Sequence, residues 1–187
     1  GASVGLLLLA LLFPIIALLI VLEDRGPIFY RQLRVGQFGQ PFFTYKLRSM
    51  RVDADDYLKK HSELMAAWHK IGKLPNDPRI TRIGRLLRRT SLDELPQMLN
   101  VLRGEMSLVG PRAIQFSEIA AFGELFQLRQ IAKPGVTGLW QVSGRSMTSY
   151  EQRCVLDCMY VIDQSIWMDV RILIKTVPTV MRGVGAY

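Results

Sequence analysis

Sulfur and imidazole are scarce in this chain, whose 187 residues include two cysteines and two histidines. Cys154 and Cys158 stand four apart, outside any C-x-x-C or zinc-ligand spacing, and His61 and His69 are eight apart on a polar stretch. This argues against a disulfide framework and a structural zinc site, and leaves the cysteines reduced and packed and the histidines at the surface. Charge is absent from Val4 to Leu22, and acid is absent from Arg25 to Arg51, an interval with six basic residues. There is no internal repeat, low-complexity tract or linker.

The composition is that of one domain able to bury a core: 49% hydrophobic residues, with 24 Lys and Arg against 16 Asp and Glu. The net charge of +8 favours anionic partners, whether nucleic acid, phosphorylated small molecules or acidic lipids. Charge alone does not choose among them.

The nineteen residues from Val4 to Leu22 would rise roughly 28 Å as a straight helix, close to the hydrocarbon thickness of a bilayer. Pro14 sits near the middle, where it removes a backbone donor and clashes with the preceding turn, so a bend is expected. A helix that enters the membrane and turns back then fits residues 1–22, with residues 23–187 as the second unit. The basic interval that follows belongs on the cytoplasmic side. The start at Gly1, without Met or a basic flank, points to a longer parent or a processed product. A signal peptide fits poorly.

Beyond the apolar segment the pattern predicts a mainly α domain with a small β element. Ile28–Tyr30 and Phe42–Tyr45 read as a hairpin. Helices are expected over 54–72, over 80–89, from Pro96 to Leu102, over 117–131, over 150–162 and over 165–177, with a structured loop from Lys133 to Arg145. Arg82, Arg85 and Arg89 form one helical face, by default a solvated one. The last helix alternates Ile166, Trp167, Val170, Leu173, Ile174 and Val177 with Arg171 and Lys175, a pattern that suits either a core-facing element or one lying in the headgroup region.

The segment Thr90-Ser91-Leu92-Asp93-Glu94-Leu95-Pro96 carries the chemistry. Cations surround its two adjacent carboxylates and are expected to keep Asp93 ionised at neutral pH. A carboxylate can attack phosphorus and form an aspartyl phosphate if repulsion between the anions is relieved, and a neighbouring carboxylate can help hold magnesium. The competing explanation makes Ser91-x-x-Glu94 a helix capping box. Pro96 weighs against it, because as fifth helical residue its missing N–H should already be bonded; a start at Pro96 leaves both carboxylates just outside the helix. Gly110-Pro111-Arg112 and Gly144-Arg145 each place a guanidinium beside a turn, as a phosphate fork or merely a surface arginine. Trp140 reads first as a core or interface aromatic.

Taken together these blocks resemble the bacterial sugar transferases, the monotopic polyprenyl-phosphate phosphoglycosyl transferases. The resemblance runs through Pro27-Ile28-Phe29-Tyr30-Arg31-Gln32, Arg34-Val35-Gly36, Tyr45-Lys46-Leu47-Arg48-Ser49-Met50 and Asp77-Pro78-Arg79-Ile80-Thr81. It continues through Ser91 to Gln97, Asn100 to Ser107, Gly110-Pro111-Arg112 and Lys133 to Arg145. Where the family commonly has Ser before the breaking proline and Pro after the Gly-Pro-Arg turn, this chain has Phe13 and Ala113.

The resemblance implies transfer of a sugar 1-phosphate, galactose or glucose 1-phosphate on its closest branch, from a UDP-sugar to undecaprenyl phosphate with release of UMP. It implies a ping-pong route, with Asp93 as nucleophile and Glu94 as Mg2+ ligand. Arg112 and Arg145 would bind phosphate and nucleotide sugar, and Lys46, Arg48, Arg79 and Arg88 complete the substrate-binding set. It also implies a re-entrant helix broken at Pro14, interfacial amphipathic helices, and a catalytic domain on the cytoplasmic face of the bacterial inner membrane. The product would start a surface polysaccharide such as O-antigen or exopolysaccharide. Membrane lipids are expected partners and nucleic acid is not; a homo-oligomer stays open. The rivals are a membrane-tethered nucleic-acid-binding module and a non-catalytic membrane scaffold, and the roles of Asp157, Tyr160 and Asp169 are undecided.

Overall fold

The computed structural model describes residues 1–71, 74, 76–144 and 149–182. It is mainly helical with two small sheets. The first helix, α1 (Ala2–Glu23), has Pro14 inside it. The expected break does not interrupt this helix: a proline deletes one i→i−4 bond, and the bonds on either side carry the helix through. Ala2, Leu9, Ile16 and Ile20 are its buried residues, so heptad-like spacing selects one stripe against the domain. Leu7, Leu11, Ile15, Leu18 and Leu22 remain exposed. This is the one helix among the described residues long and apolar enough to cross a membrane.

Both ends of α1 touch the rest of the protein. A Cβ on Gly1 would fall 2.4 Å from Leu108 Cδ1, and one on Gly5 would fall 2.9 Å from Met98 Cγ. At the other end, Glu23 accepts hydrogen bonds from the backbone N–H groups of Arg82 (2.5 Å) and Ile83 (2.8 Å). These are two of the four donors that a helix start leaves without intrahelical partners. Glu23→Ala is therefore expected to cost about 1 kcal/mol and to lower Tm by roughly 2–4 °C, read by calorimetry.

The hairpin forms as expected and extends further: β1 (Phe29–Val35) pairs antiparallel with β2 (Pro41–Leu47), with Phe29 opposite Leu47 and Val35 opposite Pro41. The helix expected over 54–72 is two, α2 (Ala54–Lys60) and α3 (Ser62–Ile71), because His61 leaves helical geometry and stacks back on Tyr57. α4 (Arg82–Thr90) starts at Thr81, whose hydroxyl accepts from the Gly84 N–H at 2.9 Å. Leu87 faces inward, while Arg82, Arg85 and Arg89 are exposed, as their default reading had it. Ile80 lies outside the helix, in a bridge to Met50.

Two further expectations change. The helix placed at Pro96 is a 3-10 segment, Leu92–Gln97, leading into α5 (Met98–Leu102). Pro96 is tolerated inside it because i→i+3 geometry removes the alignment with the i−4 carbonyl that makes an interior proline costly. The helix over 117–131 is three pieces, a 3-10 turn at Phe116–Glu118, α6 (Ile119–Phe122) and α7 (Leu125–Arg129), divided where Gly123 takes φ 53°. The loop from Lys133 contains β4 (Gly135–Thr137), parallel to β3 (Ser107–Val109), and α8 (Leu139–Val142). That parallel pair has no local hairpin signal, and nothing in the sequence foretold it.

α9 (Tyr150–Asp163) begins at a Ser149 capping box, and α10 (Ile166–Arg182) runs past its expected end with Pro178 inside. The Tyr160 hydroxyl lies 2.8 Å from Asp169 Oδ1 and 3.2 Å from the Val109 carbonyl oxygen, tying α9, α10 and β3 together. α10 buries Ile172 but exposes Ile166, Trp167, Ile174, Val177 and Met181. Cys154 and Cys158 are free and buried, and burial pushes both thiols up.

Candidate active site

Ser91 makes the first decision. It adopts the left-handed conformation at φ 56°, capping the end of α4 through its N–H and turning the chain straight into the 3-10 segment. Its side chain makes no capping hydrogen bond, so the Ser91 to Glu94 capping box does not form. Leu92 and Leu95 pack against a core of Leu9, Ile16, Ile20, Leu47 and Leu87. The carboxylates thus lie where α1, β2 and α4 converge. Asn100 stitches α5 to the same strand, donating to the Phe43 carbonyl (2.7 Å) and accepting from the Tyr45 N–H (3.3 Å).

Asp93 is 7% exposed. Burial, then the adjacent Glu94 charge, pushes its pKa up to about 6 against the opposing pull of Lys46 and Arg88. The expectation that cations govern this group is corrected in rank: desolvation is the larger effect. An ionised Asp93 still dominates at neutral pH, as a poorly solvated anion.

Lys46, from β2, donates to Glu94 Oε1 at 2.5 Å. Arg88, in the last turn of α4, donates through Nε to the Ser49 hydroxyl at 2.8 Å. Burial lowers its pKa, and the Asp93 charge is the strongest opposing influence. Lys46 and Arg88 are therefore brought to the carboxylates. Arg48 and Arg79 are engaged elsewhere. Arg48 donates to the Ile20 carbonyl (3.3 Å) and the Asp24 carbonyl, closing the C-terminal end of α1. Arg79 forms a fork on Asp77, Nε to Oδ1 at 2.9 Å and Nη2 to Oδ2 at 2.7 Å, and the hydrogen bond holds its pKa up.

Arg112 follows a turn locked to β4 by Gly110 N–H to Thr137 O (2.9 Å) and Gly135 N–H to Pro111 O (2.8 Å). A Cβ on Gly135 would lie 2.1 Å from Gly110 N, so only glycine lets these backbones meet. The Arg112 guanidinium rests over Trp140 at 5.6 Å, and Arg153 over the same ring at 5.0 Å. Arg145 lies outside the described residues.

Arg34 was missed as a site residue. It is buried, donates to the Ala113 carbonyl (3.1 Å) and faces Glu118; burial and then Arg112 pull its pKa down to about 10. Arg153 is likewise lowered by burial and Arg112. Arg112 and Arg153 over one indole, with Arg34 close enough to feel the Arg112 charge, make an anion-seeking cluster. The Arg34-Val35-Gly36 block was the available signal for the first; for Arg153 there was none.

Among the described residues no group of three or more His, Cys, Asp or Glu forms a cage. The donor set nonetheless fits magnesium: Glu94 offers oxygen ligands on a partly exposed side chain beside a second carboxylate, and an ammonium group already sits on it. Substrate phosphates would complete the coordination. The site can thus present a desolvated nucleophile, a carboxylate suited to a hard cation, and guanidiniums to hold phosphate.

Residues 1–183 match the family of bacterial sugar transferases, and the chain belongs to it. It is 48% identical to the undecaprenyl-phosphate galactose phosphotransferase of Salmonella typhimurium, over 89% of this chain and 36% of that protein. It is 38% identical to the UDP-glucose:undecaprenyl-phosphate glucose-1-phosphate transferase of Escherichia coli, over 94% and 37%. A shorter relative, the exopolysaccharide production protein ExoY of Rhizobium meliloti, is 43% identical over all of this chain and 84% of its own length. The chain thus spans little more than a third of the first two.

Proposed function

We propose that the chain transfers a hexose 1-phosphate, galactose or glucose, from a UDP-hexose to undecaprenyl phosphate. The observation that carries this reading is a buried Asp93 beside Glu94, flanked by Lys46 and Arg88 and walled by an apolar helix. An Asp93 oxygen attacks the phosphorus bearing the sugar; the bond to the bridging oxygen breaks, and UMP leaves. A phosphate oxygen of the lipid then attacks the same phosphorus and releases Asp93. Arg112, with Arg145, grips the donor's phosphates and nucleotide, Lys46 and Arg88 offset the charge that accumulates beside Asp93, and Arg48 and Arg79 hold the walls of the site. Glu94 would hold magnesium, which when bound neutralises pyrophosphate charge.

The lipid's phosphate is fixed at the membrane surface, so the site has to meet it there. α1, about 33 Å long, touches the domain at both ends, whereas a perpendicular span would carry one end away. This favours a course in which α1 turns back at a bend at Pro14 that leaves the helix continuous, and we read α10 as lying in the headgroup region and the domain as on the cytoplasmic face of a bacterial inner membrane. The name of one relative, an exopolysaccharide production protein, supports reading the reaction as a step in polysaccharide assembly.

Incubation with UDP-galactose or UDP-glucose and magnesium, without lipid, is expected to leave a phosphohexose on Asp93 in intact mass spectra. Undecaprenyl phosphate should discharge it. Folded protein that stays unmodified by these donors and their N-acetyl forms overturns the mechanism.

A further inference from the structure

We propose that the buried Arg129 and Asp157 are positioning residues: Arg129 holds the peptide that follows the Arg112 Cα, Asp157 holds Arg129, and together they aim the Arg112 guanidinium at substrate phosphate. The inference rests on the reading above that Arg112 grips phosphate.

Arg129 comes from α7 and Asp157 from α9, and each is 2% exposed. Their mutual contact is loose, Nε to Oδ2 at 3.6 Å. Arg129 Nε and Asp157 Oδ1 are both buried without a hydrogen-bond partner among the described residues. The Arg79–Asp77 fork shows what a tight pair looks like in this same protein. A loosely matched pair of buried charges is weak at holding a fold together, since desolvation offsets much of the attraction.

Arg129 turns to Arg112 instead: its Nη2 donates to the Arg112 carbonyl. The Pro111 carbonyl, in the peptide that precedes the Arg112 Cα, is held by the Gly135 N–H, and the Arg112 carbonyl follows that Cα, so fixing both sets φ and ψ of the residue. Backbone direction then dictates where Cβ points, and the Trp140 face settles the side chain further. Burial pushes the Asp157 pKa up to about 7, against the pull of Arg129 and Arg112. A carboxylate this poorly solvated suits a geometric task better than a stabilising one. An aiming error of about 1 Å is enough to cost roughly 100-fold in rate.

A double-mutant cycle tests this, read as the rate of adduct formation on Asp93. Asp157→Asn and Arg129→Lys are each expected to slow it about 100-fold. In an Arg112→Ala background neither should slow it further, because the aimed group is gone. Losses that multiply, or Asp157→Asn at full rate, overturn the proposal. Residue-resolved exchange of arginine guanidinium protons on the unsubstituted protein judges the clamp independently of activity and of whether the variants fold. The Arg129 guanidinium protons should exchange far more slowly than those of an exposed arginine, and fast exchange there overturns the clamp. Slow exchange in a protein that forms no adduct sinks the functional reading alone.

Discussion

Asp93→Asn is expected to abolish product formation, by about four orders of magnitude or more, and to make the folded protein more stable at neutral pH. The two effects have one origin. Asp93 is desolvated and sits beside Glu94, so its folded pKa lies near 6, above its ordinary value of 3.8. A group raised in this way binds its proton more tightly in the folded state, so its favourable contribution is complete below about pH 3.8 and is lost as pH rises through about 6. Above that, the fold carries a costly charge that an amide lacks. The gain in Tm should therefore be a few degrees at pH 7.5 and vanish near pH 4, with each 1 kcal/mol worth about 2–4 °C. The same titration predicts that adduct formation by the unsubstituted protein falls away below about pH 6. A lower Tm for Asp93→Asn at pH 7.5 would sink this account, because it would mean the carboxylate stabilises its surroundings.

Gly84→Ala is expected to destabilise the protein by about 3 kcal/mol or more and to lower Tm by roughly 6–12 °C. Helix propensity alone predicts the opposite sign, a gain of about 1 kcal/mol from replacing an interior glycine. Packing decides the outcome. A Cβ on Gly84 would fall 2.0 Å from the Ser49 carbonyl oxygen and 2.7 Å from the Ser49 carbonyl carbon, both backbone atoms that cannot swing aside. α4 would have to move off the end of β2. That displacement breaks Thr81 N–H to Ser49 O (3.2 Å) and Arg88 Nε to Ser49 Oγ (2.8 Å), so the rate should fall along with stability. Thermal melts and adduct formation on the same preparation check both parts, and a raised Tm would refute the close contact.

These two positions also show what kind of information each level holds. Asp93 and Glu94 stand out in the sequence because they follow an arginine-rich helix and stand just before Pro96, where a capping box explains them poorly. Gly84 does not stand out, since a glycine within an arginine-rich helix looks like a local defect until the Ser49 carbonyl is seen against it. Arg48 and Arg79 were natural candidates for phosphate binding by charge alone, yet they close α1 and pair with Asp77. Arg34 had the same charge and became part of the cluster around Arg112.

Patterns local in the chain were therefore decided by the sequence itself: the apolar α1, the hairpin, the α4 stripe and the carboxylate pair all rest on hydropathy period, turn residues or direct adjacency. Only the tertiary structure decided which of many like-charged arginines meet, how strongly Asp93 is desolvated, and that β3 and β4 run side by side. Those outcomes depend on distances between residues tens of positions apart. At close range such distances fix desolvation and Coulomb energies, which residue type and sequence spacing leave open.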